Sequence, residues 1–495
     1  MKFLLDTNVF ITLEPTRLAE VENAVDVELS KLVLSGGHQM YVHPAQQADI
    51  DRDVDEERRR LRTLLLQKYP PLPNPPALTD ALSEQLGRCE RGSNDWVDHQ
   101  LIAALAGDAV DFLVTSDVDI RKKARRLGLE PRVGTPREAI AFLKDLFDRV
   151  PSPPPAVEST QAHTLDEQAP IFESLRADYT PHFDAWFTKC KRQHRQAWVI
   201  RDEGNALAGL CIVKPEDETV FGLTGKILKI CTLKVAEQHN GFRFGELLLK
   251  TCFDYATQNG YERAYVTAFE KHGALIALLL DLGFERIEAR TPLGEGVFVK
   301  PFVPDESEPG DALAYHVRYG PHAVDATAAK LYVVPIQPVY HEMLFPEAEG
   351  QARLRFDTGR HPCGNAIRKA YLCNSITRQI RPGDMLLFYR SDDAQAVKVV
   401  GVVENWMASS DPNRIARFVG KRTVYTFAEI EGLCREGRET LAILFRQVDI
   451  LKEPITLNTL LELEVLKGHP QQITSVDIKE KTWLQKRLTE RCCWR

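Results

Sequence analysis

The chain has no uninterrupted apolar run near the roughly 20 residues that a membrane-spanning helix needs, so no membrane segment is expected. It also lacks any Cys-x-x-Cys pair. Its 10 cysteines are scattered, and the adjacent Cys492 and Cys493 are poor material for a disulfide framework, so reduced thiols and a cytoplasmic setting are expected. Net positive charge is missing too. The 63 Lys and Arg stand against 70 Asp and Glu, a formal charge of -7, which excludes a globally basic nucleic-acid binder and leaves only a local basic surface for that role. No repeat occurs at a period of about 20–50 residues, which argues against a solenoid. The segment Met1–Phe10 is interrupted by Asp6 and lacks the apolar core of a signal peptide, so secretion is not expected.

What is present is an ordinary globular composition, 44% hydrophobic and 27% charged over 495 residues, enough for about three domains. Two breaker-rich stretches divide it. Pro151-Ser152-Pro153-Pro154-Pro155 is short of backbone donors and held extended, and the acidic run from Pro301 through Pro304 to Pro309-Gly310 follows the last apolar stretch of the middle. The expected regions are 1–150, 156–302 and 311–495, a multidomain α/β protein.

In the first region, Phe3-Leu4-Leu5 reads as a buried strand ending at Asp6-Thr7-Asn8. That places a carboxylate at the C-terminal edge of a parallel sheet, where open α/β sheets bind ligands. Met40-Tyr41-Val42 leads through Pro44 into a helix with Asp49, and Asp98 opens the apolar helix Leu101–Ala106, with Asp95 one turn earlier. The strand Phe112–Thr115 ends at Ser116-Asp117-Val118-Asp119. Four carboxylates on separate elements repel one another unless a hard cation neutralises them, and oxygen ligands suit Mg2+ or Mn2+. Such a site activates water against a phosphodiester. Together these segments resemble the PIN-domain nuclease family over residues 1–145, an α/β/α fold with a parallel sheet. The resemblance implies catalytic Asp6, Asp49, Asp98, Asp117 and Asp119, with Asp6, Asp98 and Asp117 as metal ligands, Thr115 or Ser116 assisting, and RNA as substrate. Where the family has Glu at its second position, this chain has Asp49. Arg121-Lys122-Lys123 reads as an exposed helix face that could also meet RNA phosphates.

In the middle region, helices around Ile171–Lys191 precede strands Ala197–Arg201, Ala208–Lys214 and Ile227–Val235. The loop Gln238-His239-Asn240-Gly241-Phe242-Arg243-Phe244-Gly245 then opens the helix from Glu246 to Thr257, a pyrophosphate cradle in principle. Strand Arg263–Ala268, helix Ala274–Leu280, Gly283-Phe284 and a closing strand follow. Residues 160–302 resemble the GNAT acetyltransferase family, an α+β fold. The resemblance implies acetyl-CoA as cofactor, an amine as acceptor, and Leu233, Val235, Gln238, Asn240, Gly241, Arg243 and Gly245 as cofactor contacts. Two alignments of the loop stay open, and each puts Arg243 where the family has a small residue. The tyrosine that the family often uses as general acid is replaced by Leu279.

In the last region, strands are expected at Leu331–Ile336, Met385–Tyr389, Val397–Glu404 and Ala442–Phe445, with Arg381-Pro382-Gly383-Asp384 as a turn. These short strands suggest a small β-barrel-like domain. Its Gly-Asp-x-Leu-x-Phe-Tyr run resembles the PUA-like group, including ASCH and EVE modules, which implies RNA or modified-base binding. Phe388 and Tyr389 are expected in the core ahead of stacking on bases. Arg368, Lys369, Arg378 and Arg390 read equally as phosphate contacts or as solubilising surface, and His361-Pro362-Cys363 reads as structural.

The leading expectation is therefore a metal-dependent ribonuclease whose other two domains select or regulate the RNA, tRNA or mRNA. The first alternative is a GNAT-type N-acetyltransferase acting on tRNA or a protein amine, with the first region binding nucleic acid. The second is a non-enzymatic RNA-binding sensor of a stress or defence system. By fold-level analogy with other PIN nucleases, a toxin-like role with a protein inhibitor as partner, or a homo-oligomer, is a further expectation.

Overall fold

The computed structural model describes residues 1–14, 24–147, 157–202, 204–239, 243–304, 311–326, 328–349, 364, 366–476 and 493–494. The chain forms two compact units, one of residues 1–150, 409–421 and 425–438, the other of residues 151–408, 422–424 and 439–495. No described helix is long and apolar enough to cross a membrane.

The first unit holds a four-stranded sheet of β1 (Lys2–Leu5), β2 (Gln39–Tyr41), β3 (Phe112–Val114) and β4 (Val133–Gly134), in the order β2-β1-β3-β4. Every pairing is parallel. Phe3, Leu4, Leu5, Phe112, Leu113 and Val114 are all buried, the continuous apolar run that a parallel strand covered on both faces requires. Because β1 and β3 are neighbours, the residues just after each meet at one sheet edge, and the Asp6 amide donates to the Val114 carbonyl at 2.9 Å.

The second unit begins with a seven-stranded sheet: β5 (Val157–Gln161), β6 (Gln196–Arg201), β7 (Leu207–Glu218), β8 (Thr224–Val235), β9 (Arg263–Ala268), β10 (Glu285–Arg290) and β11 (Gly296–Pro301). Its order is β10-β11-β9-β8-β7-β6-β5, and β8–β9 is its one parallel pair among the described residues. Helix Phe244–Gln258 buries Leu248, Leu249, Cys252, Phe253 and Ala256 on one face of this sheet, against Leu228, Ile230, Ala264 and Val266. Helices Glu173–Asp178 and Phe183–Arg192 belong to the other side, where Phe172, Phe183 and Phe187 pack with Ala197, Val199 and Leu210.

After the short β12 (Ala323–Val324) comes a second, six-stranded sheet of β13 (Leu331–Ile336), β14 (Arg368–Cys373), β15 (Met385–Arg390), β16 (Ala396–Ser409), β17 (Thr440–Thr456) and β18 (Thr474–Ser475). A final β19 (Cys493–Trp494) runs parallel to β12. The order β14-β17-β16-β15-β13-β18 is open among the described residues, with β14 and β18 at its edges, so the expected barrel closure is not seen there.

Candidate functional site

Three groups of side chains stand out, one at strand ends in the first unit and two in the second. In the first unit Asp6 is 5% exposed. Its Oδ1 accepts from the Thr7 amide and its Oδ2 from Thr115 Oγ1, both at 2.6 Å. Burial outweighs those two bonds, the charges of Asp98 and Asp117 add to it, and the carboxyl is pushed up to about 7. Asp98 is pushed up to about 6, again by burial, opposed by Lys123 and reinforced by Asp117 and Asp95. Asp117 caps helix Val118–Arg126, its Oδ1 accepting from the amides of Asp119 (2.6 Å) and Ile120 (3.2 Å). Asp6, Asp98 and Asp117 thus feel one another's charge.

The other two expected acids behave differently. Asp49 accepts from Thr7 Oγ1 at 2.6 Å and pairs with Arg52, so it joins the group only through Thr7. Asp119 is 72% exposed and pairs with Lys122 at 3.1 Å. Lys123, expected on an exposed face, is instead buried, with its Nζ 2.6 Å from Asp95 Oδ1 and 3.3 Å from Asp98 Oδ2. The oxygen donors have the chemistry a hard cation takes, but their spacing is not that of a ready ligand set. Among the described residues no three His, Cys, Asp or Glu side chains are grouped to hold a metal ion.

In the second unit β8 and β9 pair from Ile227–Arg263 to Ile230–Val266, and there the ladder stops. β8 runs on to Val235, paired only with β7, across a register shift that leaves Cys231 unmatched. The strands therefore part at Ile230 and Val266. Leu233 and Val235, with Leu247, Leu275, Ile276 and Leu278, are half-buried apolar groups packed on the core beside this parting. Gln238 lies in the short turn Glu237–His239, while Asn240 and Gly241 fall outside the described residues.

Arg243 precedes helix Phe244–Gln258 with a left-handed backbone (φ 59°), the conformation that favours glycine and explains why a glycine would be expected there. Its guanidinium pairs with Glu246 Oε2 at 3.2 Å, and Glu246 Oε1 accepts from the Ile367 amide at 2.8 Å. The arginine is thus drawn toward Glu246. A Cβ at Gly245 would meet only Leu278 at 3.5 Å and Val235 at 3.7 Å, so nothing in the fold itself demands a glycine there, and the first-turn amides keep an open approach. Leu279 is fully buried in the core and offers no proton.

Sequence reading missed a third group. Glu295, in the turn between β10 and β11, is 5% exposed and gathers hydroxyls from Tyr179, Thr267 and Thr291 at 2.6, 3.2 and 3.0 Å. Nearby on the same strand Tyr265 donates to Glu216 at 2.7 Å. These partners lie up to 116 residues apart, and no local pattern announces them.

Residues 161–284 match the family model of the acetyltransferase (GNAT) family. The middle of the chain is a GNAT acetyltransferase domain. No curated protein sequence matches the chain. Among solved structures, ASCH from Zymomonas mobilis is 15% identical over 34% of this chain and 99% of its own, with a TM-score of 0.25. A putative acyl-CoA N-acyltransferase from Klebsiella pneumoniae is 20% identical over 29% of this chain and 97% of its own, with a TM-score of 0.22. A GNAT family acetyltransferase from Elizabethkingia anophelis with acetyl-CoA bound is 14% identical over 29% and 97%, with a TM-score of 0.22.

In the last region the cations expected at a phosphate surface are engaged. Lys369 and Arg390 are buried, Lys369 against the carbonyls of Leu344 and Gly364 and Arg390 against Asp393 and Glu342. Arg368 pairs with Glu404 and Asp281, and Arg378 with Glu439. Phe388 and Tyr389 are core residues, as expected, with Phe388 against Phe345 and Phe445. His361, Pro362 and Cys363 lie outside the described residues.

Proposed function

We propose that the chain is an N-acetyltransferase that uses acetyl-CoA to modify an amine on RNA or protein, the alternative to the nuclease reading. The observation that carries it is the parting of β8 from β9 after Ile230 and Val266, beside helix Phe244–Gln258 with Gly245 in its first turn. Acetyl-CoA supplies the acetyl thioester: a C–N bond forms as the C–S bond breaks, and the proton that the amine nitrogen gives up leaves on the sulfur as thiol. The chain's own part is to offer first-turn amides and the Gly245 backbone to the diphosphate, and the apolar flank of Leu233, Val235 and Leu278 to the arm behind it. With Leu279 in the core, the proton for the departing sulfur comes from a group other than the family's usual tyrosine.

Gly245→Leu tests this in the full chain. The added side chain fills the cradle, so acetyl-CoA affinity by calorimetry falls at least about tenfold, or 1.4 kcal/mol, while the melting temperature holds. A wild type that binds no acetyl-CoA sinks the reading.

A second reading keeps the first unit as a PIN-type, Mg2+- or Mn2+-dependent ribonuclease. It is supported by the mutual repulsion of Asp6, Asp98 and Asp117, which a divalent cation would relieve. Total RNA incubated with wild type and with Asp6→Asn/Asp117→Asn, with Mn2+, Mg2+ or EDTA, separates the cases. Metal-dependent fragments absent from the variant support it, and intact RNA throughout removes it.

A further inference from the structure

We infer that the acceptor of the acetyltransferase site is an aliphatic amine presented as its ammonium ion, received by Glu295; this rests on the acetyltransferase reading above. Glu295 is 5% exposed, yet among the described residues no Lys, Arg or His pairs with it. Two other largely buried acids of this unit pair with cations, Glu246 with Arg243 and Glu404 with Arg368 and Arg446. An ionised carboxylate shut away from water without a cation is costly, and hydroxyls alone compensate it in part.

The hydroxyls come from three separate elements. Tyr179 follows helix Glu173–Asp178, Thr267 lies on β9, and Thr291 closes the β10–β11 turn. Tyr179 and Thr267 both donate to Oε1, and Thr291 alone donates to Oε2. A carboxylate offers about four acceptor positions, so Oε2 keeps one for an incoming donor. Burial and the bond to Glu295 hold the Tyr179 phenol well above its ordinary range, so it stays a donor.

Position ties this carboxylate to the reaction. Thr267 is the first residue of β9 beyond the last β8 pair, Val266. Val266 and Ala268 face the core under helix Phe244–Gln258, so Thr267 faces the other side of the sheet. Glu295 therefore stands at the strand parting, opposite the face covered by that helix. A lysine-like ammonium, charged at neutral pH, completes this site, whereas the exocyclic amine of a nucleobase brings no charge to offset the carboxylate. There the carboxylate orients the ammonium and takes one of its protons, which frees the nitrogen lone pair to attack the thioester carbonyl; that proton passes to solvent, and the second proton the nitrogen loses leaves on the sulfur as thiol.

The test is thiol release from acetyl-CoA by the full chain with butylamine, spermidine, methoxyamine (neutral at pH 7), cytidine and adenosine. The aliphatic ammonium acceptors are turned over in preference to the nucleosides. Glu295→Gln lowers the ratio of kcat/KM for butylamine to that for methoxyamine by roughly 10- to 150-fold, the range expected for a hydrogen bond to a charged group, and Glu295→Asp restores part of it. Its acetyl-CoA affinity and melting curve report folding, and the wild-type panel decides even if the variant fails to fold. Preference for cytidine or adenosine, an unchanged ratio in Glu295→Gln, or no amine turned over by a chain that binds acetyl-CoA overturns the inference. Absence of acetyl-CoA binding instead removes the acetyltransferase reading beneath it.

Discussion

The two units bury carboxylates in opposite ways. In the first, Asp6, Asp98 and Asp117 crowd the ends of β1, helix Asn94–Ala106 and β3, each raising the cost of ionising its neighbours, with Lys123 the cation at hand. In the second, Glu295 is surrounded by hydroxyls drawn from distant parts of the chain. Crowded acids form a site whose folded state is opposed by its own charge, which a dense positive charge relieves. A carboxylate cradled by neutral donors is already organised, and a single positive charge completes it without rearrangement. The same residue chemistry would thus suit two different ligands, because the compensating groups differ.

The largest effect that could break this contrast is pH. The folded Asp6 keeps its proton up to about 7, whereas an unfolded Asp loses it near 3.8. Between those values the native state binds more protons than the unfolded one, so this contribution to stability is full below about pH 4 and is lost as pH rises through 7. The amides of β1 and β3 in the full chain should lose roughly 2–4 kcal/mol of hydrogen-exchange protection from pH 4 to 8 on this account, and Mn2+ should restore it. Asp6→Asn should flatten the slope, and Lys123→Met should steepen it by removing the cation beside Asp98. A flat profile in wild type would show that burial, with the charges of Asp98 and Asp117 added to it, does not hold the Asp6 proton as described.

Much of this architecture is legible in the chain. The buried runs Phe3-Leu4-Leu5 and Phe112-Leu113-Val114 announce parallel strands because both faces must be apolar, and they bring Asp6 and Asp117 to one edge. Strands β9 and β13 lie where their β-branched and aromatic runs place them. β5 and β14 escaped notice. Val157–Gln161 is polar and half-exposed at a sheet edge, and Arg368-Lys369 opens β14 with charges whose burial depends on carbonyls and acids distant in sequence. Lys123 escaped for the same reason: three cations in a row read as a solvated face, and only the packing of helix Asn94–Ala106 turns one inward. Glu295 carries no periodicity at all, since its meaning lies in hydroxyls that the fold delivers.

The smallest expected effect sharpens the contrast from the second unit. Thr291 Oγ1 donates to Glu295 Oε2 at 3.0 Å and accepts from the Glu295 amide at 3.1 Å, so Thr291→Val removes one donor from the carboxylate and one acceptor from the turn. Denaturant unfolding should register a loss of about 1–2 kcal/mol, since a buried charged acceptor is left with two hydroxyls. The amine's own position on Oε2 is already free, so the loss acts through the carboxylate's orientation: the KM for butylamine should rise, while acetyl-CoA affinity stays as in wild type. Stability lost together with a higher KM is the signature of a hydroxyl that holds Glu295 in place for the amine. If KM falls instead, the hydroxyl competes with the amine for Oε2, and the site is not already organised.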